Sequence, residues 1–273
     1  MRKILAIAAA ALLGFAAAPA PAFAKATIEK LYVLDCGQGR ASDMSRWTPG
    51  LNLGVAMDVR DNCYLIKHSK GWLMWDTGIA ERVAELPDGQ PGPTVWKRPI
   101  TIAAQLQQIG IAPADIKWVA VSHTHADHVG NVDMFPAAEL LIQQAEWDFA
   151  VAPGKTPVFK PERAVPVRKL AGDLDVFGDG SVRLVSTHGH TPGHQVAVVR
   201  MKATGYVLLS GDAVHFKDNW ENRRVPSMNT DKEQTLASLD RIAGLMKELS
   251  AQLWINHDKA QGDAAKRPPA FYD

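Results

Sequence analysis

Past Ala18 the chain has no stretch that is apolar for the ~20 residues a membrane-spanning helix needs, which excludes a bundle of such helices. Charge of one sign is also lacking. Thirty Lys and Arg stand against 29 Asp and Glu, so there is no electrostatic footprint for nucleic acid. Cysteine is scarce too, with two residues, Cys36 and Cys63, whose spacing suits no thiolate metal site. What remains, at 47% hydrophobic and 22% charged residues, has the composition of a folded globular protein rather than a disordered one.

The first stretch is the exception to the short apolar runs. Met1-Arg2-Lys3 precedes an apolar segment from Ile4 to Ala18, and Ala22-Phe23-Ala24 supplies a small-residue cleavage pattern. This reads as a secretory signal peptide over residues 1–24, cut after Ala24. The alternative, an N-terminal membrane anchor, suffers from the shortness of the run. Cleavage leaves 28 basic against 29 acidic residues. Export to the periplasm or beyond the cell exposes both cysteines to an oxidising compartment. There they either pair with each other, or Cys63 in Cys63-Tyr64-Leu65-Ile66 serves as a small buried apolar residue.

Strand-like segments are expected at Leu31–Asp35, Asn62–Lys67 and Gly71–Asp76, with long loops at Gly39–Arg60 and Ala84–Pro99. Thr101 to Ile109 has helical spacing, with Ile102, Leu106 and Ile109 on one face, and Gly110 ends it. Further strands are expected at Lys117–Val121, Val182–Ser186, Gln195–Met201, Tyr206–Leu209 and Gln252–Ile255. Lys232–Leu249 reads as a helix, with Leu236, Leu239, Ile242 and Met246 inward. A helix followed by a strand suggests a βαβ arrangement within an α/β fold. No composition break appears after residue 25, so residues 25–273 are expected to form one domain.

Four of these strands end in candidate metal ligands. Lys117–Val121 runs into Ser122-His123-Thr124-His125-Ala126-Asp127-His128, and Val182–Ser186 into Thr187-His188-Gly189-His190. Tyr206–Leu209 leads to Ser210-Gly211-Asp212, and Gln252–Ile255 to Asn256-His257-Asp258. Side chains at the carboxyl ends of neighbouring strands converge on one crevice in α/β folds. Alternate residues of an extended segment point the same way, so His123 and His125 can grip one ion while Asp127 and His128 face a second. Imidazole and carboxylate donors suit zinc, with iron, cobalt or manganese also accepted, and the lack of thiolate argues for a catalytic site. A carboxylate such as Asp212 can bridge two ions. Any one of these histidines alone would read as an ordinary surface or core residue; the ordered set would not.

Ser122 to His128, Gly189-His190-Thr191-Pro192-Gly193-His194, Gly211-Asp212, Asn256-His257-Asp258 and the early Asp76-Thr77-Gly78 together resemble the signature series of the metallo-β-lactamase superfamily. The resemblance implies an αββα sandwich of two mixed β-sheets covered by helices, and a site for two divalent metal ions. By position, His123, His125 and His190 would hold the first ion, Asp127, His128 and His257 the second, and Asp212 would bridge them. His194 reads as supporting a ligand or closing its loop, and Asp76 as a hydrogen-bond support. His188 and His68 read as solvated residues.

Two ions sharing a water supply a hydroxide that can attack an ester, lactone, thioester, amide or phosphoester, with Asp127 handling a proton as the leaving group departs. Within the superfamily, Asp212 argues against a true β-lactamase, and the short stretch after His257 against a thioesterase with a helical C-terminal domain. Leu31-Tyr32-Val33, Asn62-Cys63-Tyr64-Leu65, His194-Gln195, Asp212-Ala213, Val225-Pro226 and His257-Asp258-Lys259-Ala260-Gln261 are similar to the N-acyl homoserine lactonase branch. That resemblance implies a small-molecule lactone or ester substrate, an acyl-chain groove and a homodimer, while the charge balance and the apolar runs lead to the expectation of no nucleic-acid partner and no membrane partner after signal cleavage. The sequence departs from the branch at His215, where many relatives carry a Tyr that donates to the substrate; His215 can do the same work as a neutral donor or an acid. Trp47, Met57, Trp96 and Trp220 are expected to line an apolar pocket over the ions. A periplasmic metal-binding protein without activity is the non-enzyme alternative.

Overall fold

The computed structural model describes residues 28–162 and 166–273, so the expected signal segment lies outside the described residues. Seven strands form the first sheet: β1 (Ile28–Ala41), β2 (Met57–His68), β3 (Gly71–Trp75), β4 (Thr94–Lys97), β5 (Ile116–Ala120), β6 (Glu139–Gln143) and β7 (Val167–Leu170), in the order β4-β1-β2-β3-β5-β6-β7. Five form the second: β8 (Leu174–Asp175), β9 (Val182–Ser186), β10 (Gln195–Met201), β11 (Gly205–Leu209) and β12 (Gln252–Trp254), in the order β12-β11-β10-β9-β8. Both sheets are mixed: β1 to β3 pair antiparallel and β3-β5-β6-β7 parallel, while β12 joins its antiparallel sheet in parallel with β11.

Strand alternation builds the layers. Leu31 and Val33 of β1 point to the interior between the sheets, where Tyr64, Leu73, Trp75 and Leu141 meet Leu184, Ala197, Val199 and Leu209 of the second sheet. The intervening residues Tyr32 and Leu34 face the other way, onto Ile102 and Leu106 of α1 (Ile102–Ile109). Thr101 caps that helix by accepting the Ala104 N–H at 3.1 Å, and Gly110 ends it, as the sequence indicates. On the far side, Val196, Val198 and Leu208 pack against Ile242. Ile242 belongs to α5 (Lys232–Leu249), the fifth helix after α2 (Ala126–Val129), α3 (Gln144–Ala150) and α4 (Lys217–Glu221); α6 (Lys259–Ala264) follows. The result is the expected αββα sandwich.

Several expectations need correction. β1 runs on to Ala41, because its last four residues pair with β4, a strand inside the stretch expected to be a Pro/Gly-rich loop. The strands β6 and β7 and the helix α3 were not anticipated. His68 is fully buried rather than solvated: its ring stacks on Phe177 at 3.8 Å between centroids and its Nε2 lies 3.0 Å from Asp179 Oδ2. Cys36 and Cys63 form a disulfide between adjacent strands β1 and β2, which resolves the two readings of these residues.

Candidate metal centre

β3, β5, β9, β11 and β12 all deliver polar residues from their carboxyl ends to one place. Asp76 follows β3, Ser122 and His123 follow β5, His190 lies four residues after β9, Asp212 three after β11, and His257 three after β12. His125 precedes the short helix α2, which carries Asp127 and His128. The donor atoms of His123, His125, His190 and Asp212 lie within 4.8 Å of one another, and those of Asp127, His128 and His257 do likewise. Every residue proposed from sequence as a metal ligand thus falls in one of two adjoining groups.

Asp212 stands between them. Its Oδ1 is 3.1 Å from His128 Nε2 and 3.0 Å from His257 Nε2, while Oδ2 is 3.4 Å from His190 Nε2 and 3.7 Å from His123 Nε2. The carboxylate therefore turns one oxygen to each group. Asp127 is the more open member, its Oδ2 3.8 Å from His257 Nε2.

The partners of the far ring nitrogens decide what the near ones offer. His190 Nδ1–H donates to Asn229 Oδ1 at 2.9 Å, and Asn229 is held in that orientation by donating its amide to Thr235 Oγ1 at 3.1 Å. His123 Nδ1–H donates to Ser122 Oγ at 3.0 Å, whose own hydrogen goes to Asp76 Oδ2 at 2.8 Å. Both Nε2 atoms are then lone-pair donors, yet they face each other at 3.2 Å, with His125 Nδ1 3.0 Å from one and 2.9 Å from the other. The His125 nitrogen can place a hydrogen toward at most one of them, so the lone pairs of His123 and His190 still repel unless a cation lies among the three.

The second group gives the same answer. His128 Nδ1–H donates to Asp76 Oδ2 at 2.9 Å and His257 Nδ1–H to the Arg60 carbonyl at 2.7 Å, so both Nε2 atoms are free to ligate. His128 Nε2 and Asp212 Oδ1 are buried and make no hydrogen bond despite their short separation. They are placed for a third body rather than for each other. The residues present fit divalent ions with nitrogen and oxygen ligands.

The electrostatics agree. Burial holds the imidazoles of His123 and His190 well below the ordinary histidine range, leaving them neutral as ligands must be. Burial also opposes charge on His128 and His257, but Asp212, with Asp76 beside the former and Asp127 beside the latter, raises His128 well above its ordinary value and His257 to about 9. Burial would likewise raise Asp212, yet His215, His128 and His257 hold it well below the usual carboxylate range. The second group thus attracts positive charge.

Three supporting residues carry no metal-ligand signature. Glu146, buried on α3, accepts the Thr124 N–H and hydroxyl at 2.7 Å each through Oε1, and the Gly193 N–H at 3.0 Å through Oε2. It ties the His123–His128 loop to the His190–His194 loop. A side chain at Gly193 would bring a Cβ within 2.1 Å of the Glu146 nitrogen, so the His190–His194 loop lies this close to α3 only because residue 193 is glycine. Asn229 and Ser122 orient ring nitrogens, as above; the only sequence signal for Glu146 is a charge inside an otherwise apolar helix face. His194 lies behind the site and holds the Asp212 backbone through Nε2, while His188 is half-buried against Ser186 Oγ at 2.7 Å.

The groups form the floor of a cavity of about 370 Å³ walled by Trp47, Val59, Pro91, Pro93, Trp96, Phe216 and Met228. Two of the four residues expected there are present. Met57 and Trp220 are not: Trp220 packs beneath against Leu253 and the α5 face, and Met57 is the first residue of β2, paired with Ala41. His215 also lines the cavity, with Nε2 3.1 Å from Asp212 Oδ2 and its ring 5.2 Å from that of His190.

Residues 58–249 match the family model of the metallo-β-lactamase superfamily. The chain is 32% identical over 236 residues to the N-acyl homoserine lactonase AttM of Azorhizobium caulinodans, covering 81% of this chain and 90% of that one. It is 31% identical over 263 residues to an N-acyl homoserine lactonase of Bacillus cereus, covering 90% and 99%. Among solved structures, it resembles an N-acyl homoserine lactone hydrolase with the product N-hexanoyl-L-homoserine bound at its catalytic metal centre, at a TM-score of 0.77, 28% identity and coverage of 90% and 99%. A B. thuringiensis AiiA variant with N-decanoyl-L-homoserine at its active site matches with the same TM-score, at 27% identity and coverage of 90% and 99%. The signature residues, the αββα sandwich and these matches agree: the chain belongs to the metallo-β-lactamase superfamily.

Proposed function

We propose that this chain is a metal-dependent hydrolase that opens the ring of N-acyl homoserine lactones, bacterial signals of quorum sensing. The observation that carries the reading is Asp212, whose two oxygens address two separate sets of imidazoles at the floor of an apolar cavity. Relatives with this activity align over 80% or more of the chain, which supports the substrate class.

His123, His125, His190 and Asp212 would hold one divalent ion, zinc being the first expectation, and Asp127, His128 and His257 with Asp212 the other. When bound, two such ions lower the pKa of a shared water and polarise a carbonyl. The chain's own groups do the rest. Asp127, the most open of the carboxylates, is placed to take a proton and return it to the departing alcohol oxygen. His215, buried beside Asp212 and facing the cavity, is placed to donate to an oxygen of the substrate, the task of the tyrosine found there in many relatives. Trp47, Trp96, Phe216 and Met228 shield the floor from bulk water and offer apolar surface to an acyl chain.

The same reading takes residues 25–273 as one domain, acting after export. The buried Cys36–Cys63 disulfide supports it, since such bonds persist in oxidising compartments. His215 in the tyrosine position favours, as the second reading, another carboxylic ester or lactone. Rates on an acyl homoserine lactone, a carbapenem and a simple aryl ester decide between them. Ring opening of the lactone as the fastest reaction is expected; turnover of the aryl ester or carbapenem with no lactone opening overturns the first reading.

A further inference from the structure

One wall of the cavity carries a cation that the hydrolytic reading leaves unused. Arg46 lines it, with its guanidinium 5.7 Å from the centroid of the Trp47 ring. Among the lining side chains that belong to neither ligand group, Arg46, Gln90, Thr94 and His215 carry the polar groups at the level of the walls, and Arg46 alone is permanently charged. No carboxylate of a described residue lies within ion-pair distance of it. Asp43, three positions earlier, feels the charge of Arg46 through space but makes no ion pair with it, since its Oδ1 accepts the Ser45 N–H at 2.9 Å and the Gly54 N–H at 3.1 Å.

The backbone beneath this guanidinium is fastened from both sides. The Arg46 carbonyl accepts the Ser227 N–H at 2.9 Å and its hydroxyl at 3.0 Å, and the Trp47 carbonyl accepts the Asn219 amide at 2.8 Å. Ser227 lies on the segment that also brings Met228 to the cavity and Asn229 to His190. The cation is therefore mounted on the same frame as the metal ligands rather than on a loose loop. Apolar walls with a few fixed polar groups are how small-molecule sites orient a ligand, and a guanidinium with no carboxylate in hydrogen-bond reach is completed by an oxygen acceptor on that ligand.

We propose that Arg46 selects acyl chains that carry an oxygen acceptor, such as a 3-oxo group, over plain hydrocarbon chains. The proposal rests on the hydrolase reading and deepens it. The metal centre handles the ester carbonyl, so the second oxygen must sit on the acyl part that extends toward Trp47. A charge-assisted hydrogen bond present for one substrate and absent for its unsubstituted analogue is worth roughly ten-fold in kcat/KM.

The test compares kcat/KM on the metal-loaded protein for two matched pairs: N-(3-oxo-octanoyl)- against N-octanoyl-homoserine lactone, and 4-nitrophenyl levulinate against 4-nitrophenyl pentanoate. The wild type is expected to favour the oxygenated member of each pair roughly ten-fold. Arg46→Met should bring the ratio near one, and Arg46→Lys should restore part of it. A wild-type ratio near one, or a ratio unchanged by Arg46→Met, overturns the proposal. Should neither lactone be opened while both aryl esters are, the lactone reading fails, and the ester pair still decides the role of Arg46.

Discussion

His194 Nε2 accepts the backbone N–H of Asp212 at 3.0 Å, so a histidine that belongs to neither ligand group fixes the backbone of the residue that joins them. Its Nδ1–H is directed to Thr187, 3.0 Å from the hydroxyl and 3.2 Å from the carbonyl, which commits the ring to one neutral tautomer. Burial brings its pKa from 6.5 down to about 3. The unfolded chain takes up a proton as pH falls through the ordinary histidine value, whereas the folded ring stays neutral until about pH 3. Stability is thus complete above pH 6.5 and is lost as pH falls from there toward 3, by about 1.4 kcal/mol per unit from this residue. In chelator-treated protein, His194→Gln is expected to reduce the pH slope of urea-measured stability in that window by one proton. An unchanged slope would show that His194 is not the neutral acceptor.

Glu146 is the junction of the two histidine loops. Glu146→Gln keeps the shape but replaces an accepting oxygen with a donor that faces an N–H or hydroxyl, at an expected cost of about 1–3 kcal/mol. Ligand loops held less firmly should bind metal some 10- to 100-fold more weakly, as loss of ligand support generally does. Chelator competition checks the affinity and thermal melting the stability. Gly193→Ala should be worse than Glu146→Gln in both, because its Cβ meets backbone rather than a movable side chain.

The width of the cavity depends on a glycine two strands from the metal ligands. A Cβ at Gly39 would stand 2.7 Å from Trp96, Thr94 and Val59, so the absent side chain leaves room for the indole, whose ring lies 6.0 Å from that of His257. Gly39→Ala should press Trp96 toward the metal centre and shorten the longest acyl chain accepted, while Trp96→Ala should lengthen it. Rates across a series of acyl chain lengths provide the check; the same optimum in all three proteins would remove Trp96 from the wall.

The convergence of the candidate ligands was legible in the sequence because each follows a short apolar strand, and strand ends converge whatever the loops between them do. The two-sheet alternation was legible for the same reason, since Leu31–Asp35 and Gln195–Met201 show their faces locally. What was hidden depends on partners far along the chain. His68 reads as a surface residue until Phe177 and Asp179 cover it, and Trp220 reads as a pocket residue until α5 packs on it. Glu146 and Asn229 act through hydrogen bonds to loops 22 to 47 residues away, which no local pattern announces. β4 lay unseen in a segment rich in Pro and Gly, because its order comes from pairing with the end of β1.

The Cys36–Cys63 bond closes a span of 27 residues between adjacent strands. Cys36→Ala/Cys63→Ala is expected to lower stability by about 2–4 kcal/mol, and the wild type under reductant should approach the variant. Denaturant titration with and without reductant measures this. Equal midpoints for all three samples would mean the bond does not form in solution.

Elemental analysis of the folded protein, paired with lactone opening before and after chelation, tests the whole account most directly. Two divalent ions per chain are expected, with ring opening lost on their removal and regained on their return. Folded protein that opens the lactone with fewer than one ion per chain would contradict it.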